Sequence, residues 1–421
     1  MKKIILLALF YFLHWAGWGQ TVVDGLSGIC VNEQSPSDSI VMAYLQEQGV
    51  PVTGNNRIKL LRSGKEKFID LFEAIRKAEH HIHLEYFNFR NDSIANALFD
   101  LLALKAQEGV EVRALFDAFG NWSNSRPLKK KHLRKIRARG IEIYHFDPLR
   151  FPYINHVWHR DHRKIIVIDG KIAYTGGMNV ADYYIKGLPK IGEWRDMHVR
   201  IEGEAVRYLQ QIFLSIWNKT THQKVRGDVY LPMVEDSLGD KTLAIVDRAP
   251  RKIPKLMRHT YLESIEAADK TIQIVNPYFL PTRSVKRALK KALKRGVKME
   301  IMLSAKSDIG FTPDGSMTVA HKLMKRGADV YLYNGGFHHS KIMMVDSTFC
   351  TVGTTNLDSR SLRYDYEVNA FIFDKEITSE LSEIFESDKA KSTRMTPQTW
   401  KKRSVWRRFV GWCANILTPF L

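Results

Sequence analysis

Residues 162–179 read His-Arg-Lys-Ile-Ile-Val-Ile-Asp-Gly-Lys-Ile-Ala-Tyr-Thr-Gly-Gly-Met-Asn, and they predict a β-hairpin. Apolar residues flank an Asp-Gly step, which is the strongest short-range hairpin signal in a sequence. His162 and Lys164 lie two positions apart on the incoming strand, so their side chains share one face. A turn at the Asp-Gly step returns Gly177 and Asn179 to the side of His162, and glycine lets a ligand approach the backbone closely. This set of groups suits a phosphate oxyanion.

The same pattern returns at residues 339–356, which read His-Ser-Lys-Ile-Met-Met-Val-Asp-Ser-Thr-Phe-Cys-Thr-Val-Gly-Thr-Thr-Asn. A single His-x-Lys would be a weak signal, because a lone histidine on a strand is usually a surface or core residue. Here several positions match in one register, displaced by 177 residues (339 − 162 = 177). The matched pairs are His162 and His339, Lys164 and Lys341, Asp169 and Asp346, Gly176 and Gly353, and Asn179 and Asn356. The repeat predicts two similar units in one chain.

Each half also repeats an alternation of helical and extended patterns. The predicted helices and strands are 68–78, 82–86, 94–105 and 110–116 in the first half, and 262–268, 272–275, 285–294 and 297–303 in the second. Such an alternation followed by a hairpin predicts an α/β fold with mixed sheets flanked by helices. We therefore expect two tandem α/β units related by an approximate twofold axis. Neither hairpin alone places two titratable groups on opposite sides of a phosphorus, so the units should share one active site.

The doublet His-x-Lys-x4-Asp resembles the phospholipase D superfamily, whose mark is this motif in two copies with Gly-Gly and Asn downstream. Residues 192–203, 275–281 and 356–361 are similar to the bacterial cardiolipin synthases in particular. The resemblance implies two phospholipase D-like units with one site, which transfers a phosphatidyl group between two phosphatidylglycerols through a phosphohistidine and yields cardiolipin and glycerol. It also implies a catalytic set taken from both motifs: His162, Lys164, Asp169, His339, Lys341 and Asp346.

The residue types fit this chemistry. Phosphodiester transfer needs a nucleophile, a proton donor for the leaving oxygen, and stabilisation of charge on the phosphate. The two histidines supply the first two requirements, and the phosphate oxygens are expected to be held by Lys164, Lys341, Asn179 and Asn356. These cationic and amide groups replace a metal, so we expect no cofactor and no metal. A zinc site at His80, His81 and His83 is disfavoured, because adjacent residues on a strand face opposite ways.

Strand geometry assigns different roles to the acidic residues. Seven residues separate His162 from Asp169, which is roughly 23 Å along a strand at about 3.3 Å per residue. A hydrogen bond between them is excluded, so Asp169 and Asp346 should stabilise the hairpin turns. The candidates for orienting the histidines are Asp196, which follows His162 by 34 residues (196 − 162 = 34), and Glu367, which follows His339 by 28 (367 − 339 = 28).

The charge balance and the termini indicate a membrane. Lys and Arg total 64 against 45 Asp and Glu, a net charge of +19 that favours nucleic acid or an anionic membrane surface as partner. Met-Lys-Lys followed by an apolar run over residues 4–18 predicts a signal peptide or a membrane anchor. A basic, Trp-rich pattern over 396–421 predicts an amphipathic helix that lies in the lipid interface or docks on the body.

These observations give a provisional division of the chain. The predicted segments are 1–19 for the signal or anchor, 20–56 for a linker, 57–222 and 223–395 for the two phospholipase D-like domains, and 396–421 for the C-terminal helix. An extra stretch of about ten residues near 146–156 is expected to shape substrate entry or to be padding. We expect the protein at the cell membrane, with its catalytic body on the outer face.

Three functions compete at this point. The first is phosphatidyl transfer, with phosphatidylglycerol and a membrane surface as partners and no nucleic acid. The second is hydrolysis, by a phospholipase D or a nuclease of the same superfamily. The third is a non-catalytic basic binding protein, which would not need paired histidines. Three cysteines are too few to indicate a disulfide framework or a metal site. The sequence leaves the acceptor lipid, the nucleophilic histidine and the oligomeric state open.

Overall fold

The computed structural model describes residues 36–148, 159–250 and 252–417. The predicted signal or anchor, the first part of the predicted linker and most of the 146–156 stretch lie outside these residues. Within them, no helix combines the length and the apolar character that crossing a bilayer requires.

The first half begins with elements that precede its hairpin. In chain order these are α1 Pro36–Glu47, β1 Val52–Thr53, β2 Asn56–Leu61, α2 Gly64–Arg76, β3 His81–Tyr86, α3 Ser93–Gln107, β4 Glu111–Asp117, α4 Ala118–Trp122, α5 Lys130–Arg137 and β5 Glu142–Phe146. The hairpin and its sequel are β6 Ile165–Ile168, β7 Ile172–Gly176, α6 Tyr183–Lys186, β8 Glu193–Arg195, β9 His198–Gly203 and α7 Val206–Thr221.

The second half follows a short 3₁₀ turn, Asp228–Tyr230. Its first elements are β10 Leu243–Arg248, α8 Leu256–Ala267, β11 Thr271–Val275, α9 Arg283–Arg295, β12 Lys298–Ser304, α10 Thr312–Met324, β13 Asp329–Tyr333 and β14 Gly336–His338. The rest are β15 Ile342–Val345, β16 Phe349–Gly353, α11 Ser359–Arg363, β17 Glu367–Ile372, α12 Lys375–Ala390, β18 Ser392–Arg394, α13 Pro397–Lys401 and α14 Val405–Leu417.

The two halves build the same mixed sheet. The first sheet has the order β2-β9-β7-β6-β3-β4-β5, and the second repeats it as β10-β17-β16-β15-β11-β12-β13, with β1 and β18 added at its edges. In both sheets the last three equivalent strands are parallel and the hairpin strands are antiparallel. The predicted fold class, two tandem α/β units with helices flanking mixed sheets, is confirmed.

The two sheets pack against each other. One buried cluster combines Ile165 and Val167 of β6 with Met344 of β15 and Val352 of β16. These residues are at most 3% exposed, and full burial of a Val, Ile or Met side chain contributes roughly 1.5–3 kcal/mol. Because this core joins the two hairpin regions, it fixes the ends of β6 and β15 relative to each other. The residues that precede these strands are His162, Lys164, His339 and Lys341.

Residues 36–53 differ from the predicted linker of residues 20–56. Helix α1 buries Val41 and Leu45 completely in the core cluster that contains Met257 and Tyr261 of α8. Strand β1 pairs with β10 at the edge of the second sheet, with Val52 opposite Ala244. The Pro, Ser and Gly content that suggested a linker serves instead to begin and end a short docked helix. This segment belongs to the packed body.

The C-terminal helix has two distinct faces. One face of α14 packs on α10, where Gly411 and Ala414 are buried and Asn415 Nδ2 donates to Gly315 O at 3.1 Å. The opposite face carries five exposed apolar residues, Val405, Trp406, Phe409, Trp412 and Ile416. The helix is therefore docked on the body, as one of the two interpretations expected, and it also keeps an apolar face exposed.

Candidate active site

Both predicted hairpins form, with their turns at the expected positions. Strands β6 and β7 pair from Ile165 opposite Thr175 to Ile168 opposite Ile172, and β15 and β16 pair in the same way. His162 and His339 precede the first strand of each hairpin. Both histidines line a single cavity of about 970 Å³, together with Asn179 and Asn356. The two halves of the repeat thus contribute equivalent residues to one site.

Each histidine is held by a carboxylate from the other half of the chain. His162 Nδ1 lies 3.1 Å from Glu367 Oε1, and His339 Nδ1 lies 2.7 Å from Asp196 Oδ2. In the sequence analysis, Asp196 was related to His162 and Glu367 to His339, each within its own half. The structure pairs each histidine with the carboxylate of the other half, and this exchange was not predicted. With a carboxylate at Nδ1 of both rings, Nε2 is the nitrogen without a carboxylate partner, although Lys341 Nζ also lies 2.9 Å from Nε2 of His339.

Backbone pairing between the halves explains the exchange. The His162 N–H donates to Tyr366 O at 3.0 Å, and the His339 N–H donates to Arg195 O at 2.6 Å. In both cases the accepting residue directly precedes the orienting carboxylate. The short parallel pairing of β14 with β8 extends the second contact. Each histidine is therefore fixed by its main chain and its side chain to the same segment of the opposite half.

The two carboxylates differ in charge. Burial alone raises the pKa of Asp196, but the charge of Lys341 and the interaction and hydrogen bond with His339 outweigh it and hold that pKa below its usual range. Burial raises the pKa of Glu367 to about 7, although Lys164 and Thr354 oppose the shift. Asp196 is consequently ionised at neutral pH, whereas Glu367 is close to half protonated.

The basic groups of the site are buried, except that the side chain of His162 is 14% exposed. Burial, and then the charges of Lys164 and Lys341, hold the pKa of His162 well below 6.5, and the pKa of His339 is lowered by burial and by Lys341. Burial also lowers the pKa of Lys164 to about 7 and that of Lys341 to about 8. Before a phosphate binds, both imidazoles are therefore neutral, and the lysines need an anion nearby to remain fully charged.

Both lysines lie directly behind the histidines. Lys164 Nζ donates to His162 O at 2.6 Å, and Lys341 Nζ lies 2.9 Å from each ring nitrogen of His339. Side chains of this length that are 0% and 1% exposed are pre-positioned, because almost no rotamer freedom remains. The two lysine side chains are thus fixed beside the histidines, and their predicted contact with a phosphate stays a prediction.

Asn179 and Asn356 sit in the cavity wall, each 5% exposed. Asn179 Nδ2 makes a long contact of 3.4 Å with Tyr184 Oη, and the Oδ1 atoms of both residues lack a partner among the described residues. An unpartnered buried amide that faces a cavity is a group prepared for a polar ligand. This position agrees with the predicted phosphate-binding role, which stays a prediction.

Asp169 and Asp346 are not part of the chemical site, and their place in the motif-based catalytic set is corrected here. Asp169 accepts the backbone N–H groups of Glu79, His80 and His81 at 2.8–2.9 Å. Asp346 accepts three equivalent N–H groups in the second half, from Asp269, Lys270 and Thr271, at 2.7–2.9 Å. Each carboxylate ties its turn to the start of the neighbouring strand. The two residues lie at the hairpin turns as expected, but these hydrogen bonds join the turn to another segment of the chain, which the sequence did not predict.

The glycines have another function than the predicted one. A Cβ atom on Gly177 would lie 2.1 Å from Asp196 Oδ1, so the missing side chain leaves room for the carboxylate that holds His339. A Cβ atom on Gly353 would lie 2.3 Å from the side chain of Asn369. The prediction that these glycines let a ligand approach the backbone is thus wrong for Gly177, whose space is occupied by Asp196.

Several site residues escaped the sequence analysis. Lys67 is fully buried on α2, and its Nζ donates to Met178 O and Asn179 O at 3.1 and 3.4 Å, behind the loop that carries Asn179. Its position on the apolar face of an amphipathic helix was the available signal. Thr354 Oγ1 donates to Glu367 Oε2 at 2.5 Å. Four aromatic rings surround His339 at centroid distances of 5.4–6.5 Å: Tyr184, Trp194, Tyr278 and Phe337.

His80, His81 and His83 lie together, although alternation along a strand was expected to separate them. His80 precedes β3, so alternation does not apply to it, and its Nδ1 lies 3.0 Å from Nδ1 of His81. His83 Nδ1 contacts Gln210, and its Nε2 lies 3.2 Å from Arg113. Within the described ranges no group of three or more His, Cys, Asp or Glu residues is arranged to hold a metal ion.

Comparison with known proteins agrees with this architecture. The family described as "Cardiolipin synthase, PLD-like domain" matches residues 71–217 and 261–389, one match for each half. A cardiolipin synthase of Listeria monocytogenes serotype 4b (strain CLIP80459) is 36% identical over 385 residues, which cover 91% of this chain and 79% of the relative. The cardiolipin synthase of Oceanobacillus iheyensis is also 36% identical, over 384 residues, with the same coverage.

Solved structures share the fold at low sequence identity. A phosphatidylserine synthase of Haemophilus influenzae Rd KW20 superposes with a TM-score of 0.70 at 13% identity, over 91% of this chain and 100% of that chain. A polyphosphate kinase of Porphyromonas gingivalis gives a TM-score of 0.55 at 13% identity, over 85% of this chain and 52% of that chain. The structural likeness supports the fold, and the sequence matches to both halves carry the relationship further: the chain belongs to the cardiolipin synthase family of phospholipase D-like proteins.

Proposed function

We propose that the protein is a phosphatidyltransferase that makes cardiolipin. It takes the phosphatidyl group of one phosphatidylglycerol and passes it to the headgroup hydroxyl of a second, and it releases glycerol. One phosphodiester is exchanged for another, so the reaction needs no activated nucleotide. Membership of the cardiolipin synthase family supports this reaction over hydrolysis, and so do the names of the relatives.

The observation that carries the proposal is the pair of histidines in one cavity. Each ring is held at Nδ1 by a carboxylate of the opposite half, at 3.1 Å for His162 and 2.7 Å for His339. A carboxylate in this position fixes the tautomer and the direction of the ring. Two imidazoles that offer Nε2 to one space are the groups that a double displacement at phosphorus requires.

We assign the nucleophile to His162 and the proton donor to His339. The ionised Asp196 stabilises an imidazolium at His339 once an anionic substrate enters, whereas the half-protonated Glu367 gives His162 less support for a positive charge. Nε2 of neutral His162 attacks phosphorus, the bond from phosphorus to the glycerol oxygen breaks, and His339 donates its proton to that oxygen. The products of this step are glycerol and a phosphatidyl-histidine.

The second step reverses the proton transfer. Neutral His339 accepts the proton of the hydroxyl on the second phosphatidylglycerol, the oxygen attacks phosphorus, and the bond to His162 breaks. The charge on the phosphate oxygens would be held in both steps by Lys164, Lys341, Asn179 and Asn356. Because these groups are fixed before the substrate binds, they stabilise the transition state without reorganisation. The chain thus needs no metal for this chemistry in our scheme.

The walls of the cavity favour transfer over reaction with water. Apolar side chains form much of the lining: Phe87, Phe119, Leu188, Ile191, Leu280 and Phe311. A lipid headgroup that enters such a space displaces water from the phosphohistidine. We propose the cell membrane as the site of action, with the catalytic body on the outer face and no nucleic-acid partner. The net charge of +19 and the basic-then-apolar sequence of residues 1–18 support this placement.

The test uses the purified full chain and phosphatidylglycerol labelled in its headgroup glycerol. We expect cardiolipin and free glycerol in equal amounts, and a predominance of phosphatidic acid would favour hydrolysis instead. His162→Ala and His339→Ala should both lose transfer. His259→Ala, which changes a partly exposed histidine of α8 outside the cavity, should retain it.

A substrate with a nitrophenol leaving group separates the two histidines. Nitrophenolate departs without a proton donor, so His339→Ala should still accumulate an acid-labile phosphohistidine and release a burst of nitrophenol. His162→Ala should show neither. The opposite pattern would exchange the two roles, and the absence of any covalent adduct would refute the double displacement.

A further inference from the structure

We infer that the exposed face of α14 and the mouth of the active-site cavity form one docking surface for an anionic bilayer, from which lipid enters the site without crossing water. The inference rests on the proposed function, because it concerns how the lipid substrate reaches the histidines. Its parts are the apolar stripe of α14, the α10 helix beneath it, and the α4 segment on the other side of the cavity.

The apolar stripe consists of the five large side chains Val405, Trp406, Phe409, Trp412 and Ile416, which are 49–73% exposed. Val405, Phe409, Trp412 and Ile416 recur every three or four residues, and Trp406 lies beside Val405, so the five side chains share one broad face of the helix. The rings of Trp406, Phe409 and Trp412 form a row with centroid distances of 5.7 and 6.0 Å. A continuous exposed ridge of this kind marks an interaction surface, and Trp is suited to the boundary between acyl chains and headgroups.

Contacts beneath the helix hold this ridge outward. A Cβ atom on Gly411 would lie 2.3 Å from Thr318 Oγ1, so the absence of a side chain lets α14 lie directly on α10. Arg403 forms an ion pair with Asp314 at the start of α14. Because the polar and small residues of α14 are engaged with the body, the helix cannot turn its apolar stripe inward without breaking them.

The α10 helix links the stripe to the cavity. Gly315 lies between Leu280, a cavity-lining residue, and Ala414 of α14, with ideal Cβ distances of 2.9 and 3.1 Å. Phe311 and Thr312, at the beginning of the same helix, line the cavity as well. Phe311 is also 42% exposed, so a residue that lines the cavity also presents an apolar side chain at the protein surface.

A second aromatic pair borders the cavity on the side of α4. Phe119 lines the cavity, and Trp122, which is 71% exposed, lies with its ring centroid 5.7 Å from that of Phe119. Apolar residues from both halves of the chain therefore surround the opening. A lipid whose acyl chains stay in the bilayer could place its headgroup between the histidines from this position.

The charge beside both aromatic groups identifies the occupant as an anionic bilayer. Exposed basic residues lie just before and within α14, at Lys401, Lys402 and Arg407, and in the segment that follows α4 along the chain, at Lys129, Lys130, Lys131, Arg134 and Lys135. Cations beside an apolar and Trp-rich surface attract anionic headgroups while the rings enter the interface. A second copy of the chain would bring the same positive residues together, and their repulsion disfavours it as the partner.

The first test locates Trp406 and Trp412 with lipids. The full chain, which contains nine tryptophans, is bound to phosphatidylglycerol vesicles whose acyl chains carry bromine, a quencher of tryptophan fluorescence. We expect the quenched fraction to fall when Trp406→Phe and Trp412→Phe are combined, because these rings lie in the bilayer. Trp400→Phe, which removes a ring stacked on His321, is the matched control and should leave the quenching unchanged. Equal quenching in all three proteins would refute the docking surface. It would mean that the stripe is covered by something other than the bilayer, such as a second copy of the chain or residues 1–35.

The second test separates docking from chemistry. In the combined Trp406→Ser, Phe409→Ser and Trp412→Ser variant, turnover of phosphatidylglycerol in vesicles should fall at least about tenfold, because the apolar area that enters the interface is lost. Turnover of a short-chain, monomeric phosphatidylglycerol should stay within about twofold of the wild type, since that substrate needs no interface. The control combines three exposed apolar residues elsewhere, Ile69→Ser, Leu104→Ser and Met233→Ser, and should behave as wild type.

The outcomes are distinguishable from those for the proposed function. If the wild type fails to convert the short-chain lipid, the proposed reaction is wrong, whereas the quenching result still decides the docking surface. If the stripe variant converts vesicle lipid as fast as the wild type, the docking surface is refuted and the reaction stands. An equal loss of turnover on vesicle lipid and on the short-chain lipid would mean that the stripe contributes to the stability of the fold, and this result would also refute the inference.

Discussion

Replacement of Asp169 by Asn should lower stability and leave the chemistry of the site nearly intact. Oδ1 of Asp169 accepts two backbone N–H groups, from His80 and His81, and Oδ2 accepts one from Glu79. The amide of Asn keeps an oxygen at the first position and places an N–H₂ group at the second. The variant therefore loses one hydrogen bond, and its side-chain N–H₂ group faces the backbone N–H of Glu79, which is also a donor.

The magnitude follows from these contacts. A lost hydrogen bond with an unsatisfied donor costs about 1–3 kcal/mol, and the turn is partly exposed, so we expect about 1.5 kcal/mol for Asp169→Asn. Asp169→Ala loses all three bonds, and it places Ala at a φ of 54°, a left-handed conformation that Asp tolerates better. Its cost should reach about 4 kcal/mol. At roughly 2–4 °C per kcal/mol, the melting temperature should fall by about 3–6 °C for Asn and at least twice as much for Ala.

The assay compares the melting temperature with turnover per folded molecule for both variants. Asp346→Asn is the equivalent variant in the second half and should show the same loss of stability, because the Asp346 carboxylate makes the same three contacts. All folded proteins should turn over substrate within about threefold of the wild type, because the turns lie a strand length of roughly 20 Å from the histidines. A large loss of turnover in Asp169→Asn at an unchanged melting temperature would refute the turn assignment and restore a catalytic one.

Three further results are expected. Asp196→Asn should reduce turnover by on the order of 10⁴-fold, as loss of a histidine-orienting carboxylate does elsewhere. Glu367→Gln should reduce turnover clearly less, because the pKa near 7 means that a neutral side chain already occupies that position part of the time. Equal losses of turnover in the two variants would contradict the difference in charge between Asp196 and Glu367. The value of kcat/KM should fall as the pH rises through about 7 to 8, because the lowered pKa values of Lys164 and Lys341 mean that both side chains lose their charge in this range. A flat pH profile of kcat/KM between these values would contradict the role of the two lysines. Excess EDTA should leave transfer unchanged, and activity that is lost and then restored by a divalent ion would show that a metal takes part.

Local patterns in the sequence predicted the fold well. The hairpins, their turns and the helix-strand alternation depend on neighbours within a few residues, and the structure confirms them. Helix α9 shows the reason: Thr282 caps it, Gly296 ends it at a φ of 97°, and the predicted apolar residues Val285, Ala288 and Leu289 are buried. Capping residues and apolar spacing are contained within one helix or strand, so such elements can be predicted without knowing how they pack together.

The partners of the histidines required knowledge of the packing. Spacing along the chain relates Asp196 to His162, but the contact that forms joins Asp196 to His339, which lies 143 residues away (339 − 196 = 143). The identity of the two carboxylates was accessible from strand order, because each follows a hairpin of its own half. The exchange depends on the packing of one sheet against the other, and an approximate twofold axis makes it occur twice.

Other differences have the same origin. The space beside Gly177 was assigned to a ligand because glycine leaves room, and only the folded structure shows that the Asp196 carboxylate occupies it. Residues 36–53 were assigned to a linker because of their Pro, Ser and Gly residues, yet Val41 and Leu45 are buried in the core that docks α1 on a distant part of the chain. Composition describes a segment by itself and does not show which surface elsewhere it will cover.

The edge pairing of β1 with β10 has a consequence for the making of the protein. Val52 pairs with Ala244, which the ribosome adds 192 residues later (244 − 52 = 192). At about 5–20 residues per second, α1 and β1 wait roughly 10–40 s for their partner strand. During this interval Val41, Leu45 and the edge of β1 lack the partners that they have in the folded protein. The newly made chain therefore passes through a form with an exposed apolar helix, which disappears when the second half folds against it.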